Sequence, residues 1–236
     1  MVEPRQVHVS VLGGFGLGLR DGTRPLLSAG SQRLVALLAL RGRAVARDVA
    51  AGTLWPEAST HHAGSSLRSA VARLCRVVRD VIEVNGSDLR LMPGVAVDLV
   101  QSRRLAARVL DPRRPAFDVD AALSTLPKDV LPDWYDEWLI AERECWRQLR
   151  LHSLETLAER LATAGRFADA VTAALAAVHA EPLRESARRA LVRVHLAEGN
   201  QSEARREYER FRALLLAELG VEPTAQLTSL LYVHPS

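Results

Sequence analysis

The chain of 236 residues is short of several things: it has one lysine, Lys128, two cysteines, Cys75 and Cys145, and only 5% aromatic residues. Two cysteines, both within helical patterns, exclude a disulfide framework and a cysteine-built zinc site. No apolar run approaches the roughly 18–20 residues of a membrane span, because Arg or Asp interrupts each one. The start, Met1-Val2-Glu3-Pro4-Arg5, lacks the basic-then-apolar order of a signal peptide. A chain that stays in the cytoplasm, with no membrane partner, is expected. Catalytic signals are missing too. Ser, His and Asp are scattered without a nucleophile elbow, and Gly13, Gly14, Gly16 and Gly18 miss both phosphate-loop spacings. His61 and His62 are adjacent, so they project differently, and no carboxylate or Cys stands nearby at ligand spacing. No enzyme, cofactor or metal site is predicted.

What the sequence does have is arginine, distributed unevenly. Residues 1–115 hold 17 basic and 9 acidic side chains, a net +8, whereas residues 116–236 hold 14 and 19, a net −5. The first part suits a polyanion, and Arg is the better bidentate partner for phosphate and guanine.

Alternation at Val7, Val9 and Val11, a glycine-rich turn and a second series at Phe15, Leu17 and Leu19 predict a β-hairpin, with a third short strand at Leu26 and Leu27. Ser31 then caps a helix through Leu40 that Gly42 stops. A second helix covers about 47–54, closed by Trp55-Pro56. A loop with Ser59, Thr60, His61 and His62 leads into a longer helix over about 63–79. Val81–Val84, a turn at Asn85-Gly86 and Leu89–Leu91 form the strongest short hairpin signal, and Val95–Val97 follow as a further strand. Sheet, three helices and hairpin within about 100 residues is the winged helix-turn-helix plan.

After Val97 the period-2 pattern is lost. Residues 98–110 and 121–126 read as helices, followed by pairs at about 137–163 with 166–180 and 184–198 with 201–219, and a short helix after Pro223. Gly165 and Gly199 are 34 residues apart, as are Ala170 and Ala204, Leu157 and Leu191, and Asp169 and Glu203. That is the tetratricopeptide period: a Gly in each tight turn, and an Ala five residues on that lets the second helix approach the first. The expected fold is mainly α: an α+β winged helix-turn-helix over 1–97 followed by an all-α, tetratricopeptide-like domain over 98–236. Trp134, Tyr135, Trp138 and Trp146 are expected to pack between helices. His179 and His195 should lie at contacts between repeats.

Projected at about 100° per residue, Leu67, Ala70, Val71, Leu74, Cys75, Val77 and Val78 form one apolar arc of the third helix. The opposite arc carries Arg68, Ser69, Ala72, Arg73, Arg76 and Arg79, with Ser65 leading into it, and no acid intervenes before Asp80. Small residues between arginines let a helix backbone sink towards base edges while the arginines reach guanine or phosphate. The candidate DNA contacts are Ser65, Arg68, Ser69, Arg73 and Arg76, with His62 on a phosphate at the helix N-terminus, Arg47 on the second helix, and Arg90 of the hairpin on backbone or minor groove.

Trp55-Pro56-Glu57-Ala58, the run Ser66 to Ala70 ending in Arg73-Leu74, and Leu89-Arg90-Leu91 resemble the winged-helix domain of the Streptomyces antibiotic regulatory proteins. The stretch 131–138 (Leu-Pro-Asp-Trp-Tyr-Asp-Glu-Trp) resembles the bacterial transcriptional activator domain that follows it in that family, as do 150–155, 181–187, 195–200 and 218–224. Ala72 and Cys75 depart from the family pattern, which has an aromatic residue and Arg there. Larger relatives append an ATPase module, and a chain without that module is expected here. The resemblance implies a pathway-specific activator of antibiotic genes that binds double-stranded DNA at tandem direct repeats near a promoter, as a homodimer or tandem protomers, and recruits RNA polymerase with its sigma factor. The competing reading is a helical-repeat adaptor whose winged helix binds protein; the charge contrast favours DNA.

Overall fold

A computed structural model describes residues 7–78, 81–114 and 116–231, apart from the side chains of residues 75–77. Two compact units emerge: residues 1–102 with 129–145, and residues 103–128 with 146–236.

In the first unit, β1 (His8–Ser10) pairs antiparallel with β2 (Gly16–Gly18), Val9 opposite Leu17, and parallel with β6 (Ala96–Val97). The strand expected at Leu26 and Leu27 is absent. β6 occupies the second edge of β1, and Leu26, following Pro25, is 96% exposed with no sheet face to cover it. Helices α1 (Ala29–Arg41), α2 (Arg47–Leu54) and α3 (Thr60–Val77) pack on one another through Leu34, Leu37, Leu38, Leu54, Leu67 and Leu74. Ser28, rather than Ser31, caps α1. Ser31 lies buried in the first turn and donates its hydroxyl to the Ala70 carbonyl of α3 at 3.0 Å. Gly42 ends α1 in the left-handed conformation, φ +61°.

The second sheet has the order β3-β5-β4, from β3 (Val45–Ala46), β4 (Ile82–Asn85) and β5 (Asp88–Leu91). Asn85 pairs with Asp88, so the turn is centred on Gly86-Ser87, one residue later than expected. Gly86 supplies the positive φ, +52°, at the first central position of this two-residue loop. The strand at 96–97 joins β1 instead of this hairpin.

A single cut at 97/98 does not describe the compact units, because residues 129–145 belong with the first. The Leu131 amide donates to the Val11 carbonyl at 2.8 Å, Gly13 to the Asp129 carbonyl at 2.7 Å, and Leu12 bridges Val130. Trp134 stacks on Phe15, ring centroids 5.9 Å apart. Leu131 holds a positive φ, +44°, which is unusual for a branched side chain. The Arg143 guanidinium accounts for how this turn is held: it donates to the carbonyls of Val130 (2.8 Å), Leu131 and Trp134 (2.6 Å). Asp98, the first residue of α4 (Asp98–Leu110), clamps the other side of the strand, accepting from the Val11 amide at 2.9 Å and the Leu12 amide at 3.1 Å.

The second unit is helical: the remainder of α4, α5 (Val119–Thr125), most of α6 (Ile140–Thr163), α7 (Phe167–Ala180), α8 (Glu185–Glu198), α9 (Gln201–Leu219) and the short α10 (Ala225–Thr228). Helix α8 packs on both α7 and α9. Gly165 and Gly199 sit in equivalent left-handed turns, φ +73° and +87°, and Ala170, Ala204, Leu157 and Leu191 are all fully buried. The 34-residue spacing thus marks repeated packing positions. Trp146 is fully buried, its Nε1 donating to the Lys128 carbonyl at 2.8 Å. Tyr135, by contrast, is 95% exposed and packs in no core. Among the described residues no helix is long and apolar enough to cross a membrane.

Candidate nucleic-acid interface

Helix α3 starts three residues before the expected Ala63. The Ser59 hydroxyl caps it, accepting from the His62 amide, and also lies 2.7 Å from His62 Nδ1. His61 and His62 therefore belong to the first turn, both exposed, with their rings edge-to-face at 5.6 Å.

Further along α3, Ala63, Leu67, Ala70 and Leu74 are buried, fixing the rotation of the helix. That rotation leaves Arg68, Ser69, Ala72 and Arg73 exposed on the opposite face, with Ser65 half-buried at its edge. The side chains of Arg76 and Arg79 lie outside the described residues. Neither Arg68 nor Arg73 has an acidic partner among the described residues, consistent with the absence of Asp and Glu between Glu57 and Asp80. Their donors are left for an external acceptor.

The other candidates differ. Arg47, half-buried, opens α2, and its amide donates to the Ser87 carbonyl in the hairpin turn at 2.8 Å, joining helix to wing. Arg90 stands opposite Glu83 in the β4–β5 register, donating from Nε (2.8 Å) and Nη2 (2.7 Å) to one carboxylate oxygen. The sequence leads to an expected contact with DNA backbone or minor groove; the register supplies a cross-strand acid as well.

Charge also falls differently on the folded units. Residues 1–102 with 129–145 hold 13 basic and 14 acidic side chains, a net −1, and the other unit holds 18 and 14, a net +4. Six of the acids, from Asp129 to Glu144, lie in the segment 129–145. The acidic character expected of the helical domain resides in that segment, and the expected contrast between domains disappears. The acid-free face of α3 survives this correction because it is local.

Residues 94–232 match the family model of the bacterial transcriptional activator domain. The chain belongs to this family. It is 31% identical to the regulatory protein AfsR of Streptomyces coelicolor over 224 residues and 32% identical to AfsR of Streptomyces griseus over 220 residues, 89% and 87% of the chain. It spans 22% of the length of each of these relatives. These matches agree with the kinship to Streptomyces antibiotic regulatory proteins read from the motifs. The fold is also that of Mycobacterium tuberculosis EmbR, solved in complex with a low affinity phosphopeptide: TM-score 0.75, 21% identity, 96% of this chain and 64% of that one. The winged helix-turn-helix followed by helical repeats is thus the architecture of the chain.

Proposed function

We propose that the chain is a sequence-specific DNA-binding activator of transcription, with α3 as the helix that enters the major groove. The observation that carries this is the exposed, acid-free face of Arg68, Ser69, Ala72 and Arg73, turned outward by the burial of Leu67, Ala70 and Leu74. Arg68, Arg73 and Arg76 read base edges or phosphates, Ser65 and Ser69 bond to phosphates or base edges, Arg47 and His62 contact the backbone, and Arg90 reaches backbone or minor groove only by leaving Glu83. Residues 1–97 carry recognition and residues 98–236 carry activation. The resemblance to the Streptomyces antibiotic regulatory proteins supports promoter direct repeats as targets, occupied by a homodimer or tandem protomers, and RNA polymerase with its sigma factor as the partner in the cytoplasm. Genes for a secondary metabolite are the regulated class.

Promoter DNA in a gel shift at several salt concentrations tests the reading. Removing one base contact should cost about 1–3 kcal/mol and relax specificity, while removing one phosphate contact should weaken all sequences alike and flatten the salt slope by about one unit. A folded variant carrying Arg68→Ala, Arg73→Ala and Arg76→Ala that still binds with unchanged affinity would sink the assignment and favour the protein-binding adaptor.

A further inference from the structure

The notch between α2 and α3 holds a cavity of about 490 Å³. Ala51, Trp55 and the backbones of Gly52 and Gly64 line it, and Arg47 and Arg68 stand at its edges. The two glycines are its unusual feature. Each lies within a helix, Gly52 in α2 and Gly64 in α3, where Gly is unfavourable relative to Ala. Neither has a positive φ that would require it. A Cβ on Gly52 would meet nothing within 4 Å, and one on Gly64 would meet only the mobile end of Arg68, at 3.6 Å. Neither backbone conformation nor packing inside the chain explains them. Close approach by a molecule from outside would account for them.

The chemistry of that molecule follows from the walls. About 300–1,000 Å³ is the usual range of a small-ligand pocket. The Trp55 ring and Ala51 suit an apolar body. At the edges, neither Arg47 nor Arg68 has an acidic partner among the described residues; Asp48 also lines the cavity, one of its oxygens accepting the Val49 amide at 2.8 Å, so two guanidinium charges face one carboxylate. Two unpaired guanidinium groups suit an anionic head. We propose that this cavity binds a small amphipathic organic anion, apolar at one end and carboxylate- or sulfonate-like at the other, and that its occupancy excludes DNA. The exclusion rests on the DNA reading, because the same two arginines serve both ligands; the site itself does not.

The fluorescent anion 8-anilinonaphthalene-1-sulfonate is the probe, titrated into the whole chain without DNA. Its emission should rise and saturate at one probe per chain, and Arg47→Ala or Arg68→Ala should weaken binding about tenfold, a loss of about 1.4 kcal/mol each. Gly64→Leu and Gly52→Leu should abolish the signal while the melting temperature holds or rises. An unchanged signal in both glycine variants, each folded, would overturn the site. In a second arm, saturating probe should release a DNA duplex that the chain shifts in a gel. A shift that persists would overturn the exclusion, and absence of any shift would count against the DNA reading alone, leaving the titration to decide the site.

Discussion

A fragment ending at residue 115 should fail to fold its winged helix, although it contains every strand and all three helices of that motif. The loss lies in residues 129–145. Val130, Leu131 and Leu139 are each fully buried in the first unit. At about 1.5–3 kcal/mol per fully buried Val or Leu side chain, their removal forfeits roughly 5–9 kcal/mol, an upper figure because denatured chains keep some surface covered. The Leu131–Val11 and Gly13–Asp129 hydrogen bonds and the Phe15–Trp134 stack go with them. A domain is stable by only about 5–15 kcal/mol in total, so the deficit is comparable to the whole. Trp55 is the one tryptophan in residues 1–115, and fragment 1–145 adds only Trp134 and Trp138 of the same unit, so tryptophan fluorescence reports that unit in both fragments. In urea the fragment should show no cooperative transition, whereas the fragment 1–145 should recover one. A cooperative transition of fragment 1–115 with the midpoint of fragment 1–145 would refute the reasoning and establish residues 1–97 as an independent domain. DNA binding by a truncated chain therefore says little about activation, which is better studied by substitutions in the full chain.

Glu83→Gln should tighten DNA binding several-fold and steepen its salt dependence by about one unit, because it releases Arg90 to a phosphate; salt-titrated gel shifts check this. Glu207→Ala should destabilise the helical unit by about 3–5 kcal/mol in urea unfolding, since it strands the buried Arg188 guanidinium that it binds at 2.6 Å, and adding Arg188→Met should restore most of the loss. Gly199→Ala should cost about 1 kcal/mol or more, the left-handed turn at φ +87° being unfavourable for a residue with a Cβ; thermal melting reads it. The Arg212 guanidinium, hydrogen-bonded to Glu222 at 2.6 and 2.8 Å, holds that carboxyl below the usual glutamate range. Such a group stabilises the fold at neutral pH and loses that contribution as pH falls through its lowered value. Carboxyl titration by NMR should show the shift, and Arg212→Gln should remove it.

The periodic elements were legible because one physical signal determines each of them. Leu67, Ala70 and Leu74 set the buried stripe of α3, and Gly165 and Gly199 set the turn spacing of the repeats. Boundaries were less legible, since Ser28 and Ser31 are equally good capping residues and only the buried bond from Ser31 to Ala70 separates them. The partner of Arg90 was out of reach for a related reason: Glu83 becomes its neighbour only once the register of β4 on β5 is fixed. Least legible was the return of residues 129–145 to the first unit. Their apolar residues resemble those of any helix entry, and the anchors, Asp98 on two strand amides and Arg143 on three carbonyls, are charged side chains whose role lies in backbone atoms distant in sequence.

That return also explains why a charge count along the chain misleads. A cut at residue 115 separates arginines from acids that the fold brings into one unit, including Arg33 and Asp136, which form an ion pair. At physiological salt a charge acts over about 8 Å, so the net charge of a fragment says little about what a polyanion meets at one helix face. What matters is which arginines have already found an acid. Arg33 and Arg90 have; Arg68 and Arg73 have none among the described residues, although the unit that carries them is slightly acidic as a whole. On the proposed DNA reading, the acids of residues 129–145 oppose nonspecific adsorption of that unit to DNA while leaving the α3 face available, and binding would then depend on the contacts this helix makes in the groove.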